Sequence, residues 1–82
     1  MVQIILASVG RGGLNRSDDV RLVQELLNRH LCPPQRPLVV NGVADARLVA
    51  AIEAFQRRVV AMHRPDGRVD PGSQTLAALA SV

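Results

Sequence analysis

The strongest constraint on the fold is a regular spacing of apolar residues in the second half of the chain. Successive members are separated by four, three, four and three positions: Leu48, Ile52, Phe55, Val59 and Met62. This spacing places the side chains on one face of an α-helix. The pattern therefore predicts a helix with one continuous buried face, and a short amphipathic helix of this kind needs other elements to cover that face.

Capping residues and prolines predict where the helices begin and end. Asp45 is the expected N-cap of the helix just described, which should end before Pro65. An earlier helix is expected to begin at Ser17, as its N-cap, and to stop at the proline-rich segment 33–37. A short last helix is expected after Asp70, because a proline follows it and suits the first helical position.

The two flanking helices also carry apolar stripes. The stripe of the first comprises Val20, Val23, Leu27 and Leu31, and that of the last comprises Leu76 and Leu79. We therefore predict an all-α fold, a compact three-helix bundle with Phe55 as its largest core side chain. Two Asx-Gly turns, at Asn41-Gly42 and Asp66-Gly67, are expected to link the helices.

Length and composition agree with one small domain that has no internal crosslink. The chain has 82 residues, 48% of them apolar, which is enough for a core and argues against disorder. Its one cysteine excludes an internal disulfide. We place the domain at 9–80, after an N-terminal arm at 1–8 whose apolar part could be a strand or simply extended. The glycine-rich stretch 8–15 is predicted to be a loop.

Two stretches of the sequence echo each other. The segment from Asn41 reads NGVADARLVAAIEAF, and the segment from Asp66 reads DGRVDPGSQTLAALA. Each combines an Asx-Gly pair with a capped helix, which predicts two half-units packed as a pseudo-symmetric pair.

The order of these motifs carries a resemblance to a known family. The matching residues are Val20, Val23, Gln24, Asn41, Gly42, Ala51, Ile52, Phe55, Gln56, Asp66, Gly67, Val69, Thr75 and Leu79. In this order they resemble the peptidoglycan-binding domain of the small three-helix type, which is found attached to bacterial cell-wall hydrolases. The resemblance spans about residues 9–79. It departs from the family pattern at 43–45, and at Leu48, where threonine is common.

The resemblance implies a non-catalytic module that binds the stem peptide or glycan of peptidoglycan and brings an associated hydrolase or effector to the wall. The ligand-binding residues expected from it are Gln24, Asn41, Gln56, Arg57, Asp66 and Arg68. A glutamine can donate and accept hydrogen bonds to a peptide at once, and arginine binds carboxylates in a forked pair. Each type also has a structural interpretation: glutamines bracing a loop, Asx side chains bonding their own turn, and arginines on a solvated face.

Other classes of function find little support in the sequence. His30, Cys32 and His63 do not have the spacing of a zinc site, so no metal and no cofactor are expected. No nucleophile lies near a histidine and no carboxylates are paired, so no catalytic residue is proposed. Ten arginines against seven acidic residues give a net charge of +3, but the acids are interleaved and lysine is absent, which argues against nucleic acid.

A second hypothesis assigns a different ligand, another protein, to the same fold. The first turn, which departs from the family pattern at 43–45, and the apolar arm would suit a protein-interaction module that docks onto an effector or secretion component. The opening residues lack the basic segment of a secretory signal, and no apolar run is long enough for a membrane helix. We expect the periplasm or cell wall if the chain is exported, and otherwise the cytoplasm before partner-dependent export.

Overall fold

The computed structural model describes residues 5–31 and 36–81. In order, the elements are β1 (Val9–Gly10), α1 (Ser17–His30), α2 (Ala46–Phe55), a π-helical turn (Gln56–Val60), β2 (Arg68–Val69) and α3 (Gln74–Ala80). The predicted three helices are confirmed. Residues 1–4, which are half of the predicted arm, lie outside the described residues. So do Cys32 and most of the proline-rich segment 33–37 at which the first helix was predicted to stop.

The prediction of a purely α fold and of a loop at 8–15 needs one correction. Val9 pairs with Val69 and Gly10 pairs with Arg68, forming a two-stranded antiparallel sheet. The pairing depends on Gly10, which has a φ of +107° and whose Cβ, if it had one, would clash with the carbonyl oxygen of Gly67. A strand of two residues is too short for a periodic sequence signal, and its glycine favours a loop prediction.

The start of α1 differs by one residue from its prediction. Arg16 occupies the N-cap position without a capping hydrogen bond, and Ser17 is already helical. The buried Asp19 in the first turn holds the segment that precedes the sheet. Its carboxylate accepts hydrogen bonds from the backbone N–H of Leu6 at 3.1 Å and of Ala7 at 3.0 Å. This link explains how the buried Ile5 is held in the core.

The predicted cap of α2 is confirmed, but its predicted apolar face is not continuous. Asp45 accepts a hydrogen bond from the N–H of Leu48 at 2.9 Å. After Phe55 the backbone enters the π-helical turn, whose wider hydrogen-bonded ring moves the side chains by one position. As a result Val59 is 51% exposed, and Val60 packs against the core in its place.

The last helix begins later than predicted. Ser73, and not Asp70, is its N-cap, and the Ser73 hydroxyl accepts from the N–H of Leu76 at 3.2 Å. The carbonyl of Asp70 instead accepts from the N–H of Ser73 at 3.1 Å, which closes a turn that contains Gly72 with a φ of +70°. Serine is also a favourable N-cap residue, and the positive φ of Gly72 is not helical, so a helix cannot run on from Asp70 through that position.

All elements contribute to one core. Its buried apolar residues are Ile5, Val9, Val20, Val23, Leu26, Leu27, Leu48, Ile52, Phe55, Val69, Leu76 and Leu79. Phe55 is the largest of the fully buried side chains, as predicted from its place in the apolar spacing. The packing leaves the opposite side of α2 facing the end of α1 and the segment 36–38, where a groove opens.

Candidate binding groove

A groove of about 360 Å³ lies between the end of α1, the segment 36–38 and the outer side of α2. Its apolar lining comprises Leu27, Leu31, Pro37, Leu38, Ala50, Ala51, Ala54 and Phe55. The three alanines of α2 recur at helical spacing, and their small side chains leave room that larger residues would fill.

Three arginines line the same groove. Arg47 lies in the first turn of α2, Arg58 in the π-helical turn, and Arg36 in the segment that follows α1. All three are exposed, and none of them forms a salt bridge with the residues that the structure describes. Unpaired guanidinium groups beside an apolar surface are suited to a ligand that carries carboxylates.

His30 fixes one wall of the groove. Its Nε2 lies 3.0 Å from the carbonyl oxygen of Leu79. Because a carbonyl can only accept, Nε2 must carry the hydrogen and donate it. The imidazole also meets Phe55 edge-on, with ring centroids 5.0 Å apart. His30 therefore joins α1, α2 and α3 at the groove, and it shields the ring of Phe55.

A smaller depression of about 130 Å³ adjoins the groove, since Leu38 and Arg47 line both. It also contains Gln24 and Asn41, two of the residues that the sequence nominated. The exposed Val39 and Asp45 complete its rim. A ligand extending out of the groove past Arg47 would meet this loop.

Gln24 braces the loop 41–43. Its Oε1 accepts from the backbone N–H groups of Asn41 and Gly42, both at 3.0 Å. Its Nε2 donates to Oδ1 of Asn41 at 3.0 Å and to the carbonyl of Val43 at 3.3 Å. Gln24 is 3% exposed, and the hydrogen-bonding capacity of its amide is used within the chain.

Gln56 braces the loop 66–68 in the same way. Its Oε1 accepts from the N–H of Gly67 at 3.0 Å. Its Nε2 donates to Oδ1 of Asp66 at 2.8 Å, to the carbonyl of Arg68 at 3.0 Å and to the hydroxyl of Thr75 at 3.2 Å. Of the two interpretations open for the glutamines, the structure shows the bracing of loop backbones.

The Asx residues complete both braces. Oδ1 of Asn41 accepts from the N–H of Val43, and Oδ1 of Asp66 accepts from the N–H of Arg68, each at 3.0 Å. Partial burial acts to raise the pKa of Asp66, but the hydrogen bonds from Gln56 and Arg68 and the Arg68 charge outweigh it and lower that pKa. Asp66 is therefore held as a carboxylate at neutral pH.

The remaining nominated arginines lie outside the groove. Arg68 pairs with Asp70, with 3.0 Å between its Nε and a carboxylate oxygen, and Arg57 is exposed on the π-helical turn. The six nominated residues are thus distributed over two braced loops and one exposed position rather than brought together.

Arg36, Arg47 and Arg58 are not among the six residues nominated from the sequence. One signal could have identified this wall. Arg47, Ala50, Ala51, Ala54 and Arg58 lie at positions i, i+3, i+4, i+7 and i+11, the spacing of a helical face with small residues between two arginines.

Two further features bear on the class of site. Across 5–31 and 36–81, no three histidine, cysteine or acidic side chains come together as a potential metal site. The helices in these ranges are all too short or too polar to cross a membrane.

Comparison with known families gives one match. A family model described as "Putative peptidoglycan binding domain" matches residues 16–79. The match includes all three helices, both braced loops and the groove. Comparisons with curated proteins and with solved structures gave no significant match. From the family match over most of its length, the chain belongs to the peptidoglycan-binding domain family.

Proposed function

We propose that this chain is a non-catalytic module that binds peptidoglycan through the groove beside α2. One observation carries the proposal: three exposed arginines without salt-bridge partners in the described residues line an apolar groove in a chain of this family. In its biological setting the module would hold an attached or associated hydrolase or effector at the wall, raising its local concentration there. It would act in the periplasm or cell wall, after export.

The chemistry of the groove supports this ligand. Peptidoglycan presents peptide stems with free carboxylates and small methyl side chains. Arg47 and Arg58 can bind carboxylates in forked pairs, and the alanine-lined floor can contact methyl groups without excluding the peptide backbone. No acidic side chain within 5–31 and 36–81 competes for these guanidinium groups, so a ligand carboxylate can pair with them.

The six ligand-binding residues expected from the sequence have different roles in this proposal. Gln24, Gln56 and Asp66 hold the two loops in shape. Asn41 is exposed and lines the depression next to the groove, so it is placed to contact a ligand that extends past Arg47. Arg57 and Arg68 form a separate basic edge whose contact with the wall can be tested on its own.

Co-sedimentation with purified sacculi tests the groove. We expect the double variant Arg47→Gln/Arg58→Gln to bind at least about tenfold more weakly than the wild type, because each exposed guanidinium–carboxylate pair is lost. Arg29→Gln is the matched control, since Arg29 is exposed on α1 and does not line the groove. Arg57→Gln tests the separate basic edge in the same assay. Equal binding by the double variant and by Arg29→Gln would contradict the groove as the site.

A protein-interaction module on the same fold is the second candidate function. Three exposed valines of the segment 39–43, Val39, Val40 and Val43, favour it. A purified effector or secretion component that binds wild type but not Val39→Ser/Val43→Ser, together with no sacculus binding, would favour this alternative over peptidoglycan.

A further inference from the structure

The groove offers almost only hydrogen-bond donors. Its polar side chains are Arg36, Arg47, Arg58 and His30, and the Nε2–H of His30 is already donated to Leu79. An arginine has five N–H donors and no acceptor. Within residues 5–31 and 36–81, the lining contains no serine, threonine, asparagine, glutamine or acidic side chain.

Part of the nearby backbone is already engaged within the chain. The segment 36–38 forms one wall, and both polar atoms of Leu38 are bonded to Asn28. The N–H of Leu38 donates to Oδ1 of Asn28 at 2.7 Å, and its carbonyl accepts from Nδ2 at 3.0 Å. A sugar hydroxyl brings a donor as well as an acceptor, whereas an ionised carboxylate only accepts, so carboxylates match this lining of donors better than hydroxyls do.

No aromatic face is available for a sugar ring either. Phe55 is the only aromatic residue of the sequence besides the histidines, and it is 1% exposed beneath His30. The exposed floor consists of aliphatic side chains. A ring that binds by stacking would find no flat partner.

The arginines are also spread out rather than convergent. Arg47 and Arg58 are eleven residues apart, which is about 16 Å along a helix axis. Arg36 belongs to a different segment of the chain. A carboxylate forms a forked pair with one guanidinium, so a ligand with at least two separated negative charges can engage more of these arginines than a single anion can. The groove volume of about 360 Å³ limits that ligand to a few small residues.

We propose that the groove binds the stem peptide of peptidoglycan and not its glycan strand, as a short peptide with small side chains and two separated carboxylates. This inference rests on the proposed function, because it names the part of peptidoglycan that the same groove contacts. Where a stem is attached, the lactyl carboxyl of N-acetylmuramic acid is consumed in the amide bond and the sugar strand is uncharged, whereas the stem carries the carboxylates that the arginines require.

Calorimetric titration with three soluble probes tests the proposal. The probes are a stem tetrapeptide with free carboxylates, the same peptide with amidated carboxylates, and a peptide-free glycan strand whose lactyl carboxyl groups are amidated, as they are where a stem is attached. We expect the free peptide to bind, the amidated peptide to bind at least about tenfold more weakly, and the glycan strand to give no heat. Equal affinity for the two peptides, or binding of the glycan strand alone, would overturn the proposal.

A second measurement separates occupation of the groove from attraction between charges. Ala50→Phe fills the groove from an exposed position of α2, and Ala77→Phe makes the same change at an exposed position of α3 away from it. We expect the first to weaken binding of the free peptide at least about tenfold and the second to leave it within about twofold. Unchanged affinity of Ala50→Phe, or equal binding of an oligoglutamate of matched charge, would contradict a peptide seated in the groove.

The outcomes distinguish the two proposals. Sacculus binding without free-peptide binding would overturn the stem-peptide proposal and leave peptidoglycan binding in place. Free-peptide binding without sacculus binding would overturn wall targeting and leave the ligand class in place. If neither the sacculi nor the peptide binds, both proposals fail.

Discussion

At the scale of single residues, two buried glutamines hold the loops of this domain. Gln24 and Gln56 each present a carbonyl and an amino group to a loop that displays both N–H and C=O groups. An apolar residue of similar size would leave those loop groups unpaired and partly buried. The sequence placed both glutamines beside an apolar stripe, but it could not indicate which partners their amides would bond.

Truncation of Gln56 tests this role. We expect Gln56→Ala to lower the free energy of unfolding by roughly 3 kcal/mol, because it removes four hydrogen bonds and leaves the N–H of Gly67 without its partner. Urea denaturation followed by circular dichroism measures the change. Gln74→Ala, at an exposed position of α3, is the control and should shift stability by less than about 0.5 kcal/mol. Similar losses in both variants would contradict the brace.

The acid response of stability should depend on Asp66. Its pKa is lowered in the folded state, so the stabilising effect of its carboxylate is complete above the ordinary value of 3.8 and is lost as the pH falls through the lower folded value. We expect the stability difference between wild type and Asp66→Asn to shrink as denaturation is repeated from about pH 6 to about pH 2.

The first loop supplies the control for this pH series. Asn41 occupies the corresponding position there and is uncharged, so the cost of Asn41→Ala should not change over the same pH range. A constant difference between wild type and Asp66→Asn across the series would contradict the role assigned to the Asp66 carboxylate.

At the scale of elements, the sequence predicted the three helices, but it predicted their exact starts and the segments between them only in part. The apolar spacing gave the existence of three helices and the burial of Phe55, since periodicity reports which side of a helix faces the core. The β1–β2 pair and the π-helical turn depend on contacts between distant segments, for which a local pattern contains no signal. A second capping residue, Ser73, explains the misplaced start of α3, whereas α1 begins one residue early without a side-chain cap.

Serine substitutions test the observed helix starts. Ser73→Ala should cost about 1 kcal/mol, because the Ser73 hydroxyl caps the N–H of Leu76. Ser17→Ala should change stability by less than about 0.5 kcal/mol, because Ser17 is exposed and already inside α1. The midpoints of urea denaturation of the two variants measure this difference. An equal or larger loss of stability in Ser17→Ala would support Ser17 as the N-cap of α1, as predicted from the sequence.

At the scale of the whole molecule, the domain consists of two related halves with the binding groove beside one of them. Each half has a buried glutamine, an Asx residue and a glycine with positive φ, at +75° for Gly42 and +67° for Gly67. The internal echo of the sequence contains the two Asx-Gly pairs but not the glutamines, and the pseudo-symmetric packing of the two halves stays a prediction. The groove could not be predicted, because its walls come from α1, α2 and the segment between them.

Binding to the wall should weaken as salt is added. Raising ionic strength from about 0.05 M to about 0.5 M screens exposed charges, so sacculus binding should fall steadily in the wild type. The dependence should be shallower in Arg47→Gln/Arg58→Gln and unchanged in Arg29→Gln, because only the first variant removes charges from the groove. A parallel dependence in all three proteins would show that the attraction is spread over the surface.

The π-helical turn affects how the sequence of this chain should be aligned with the sequences of its relatives. Because the turn holds one residue more than an α-helical course requires, an alignment drawn without a gap through 56–60 against a straight helix would assign Val59 to the interior. The true match is Val60, which packs on the core. The offset of one position applies at Val60, the last residue of the turn. A design that transplants residues from a relative into this region must therefore place the alignment gap before Val60.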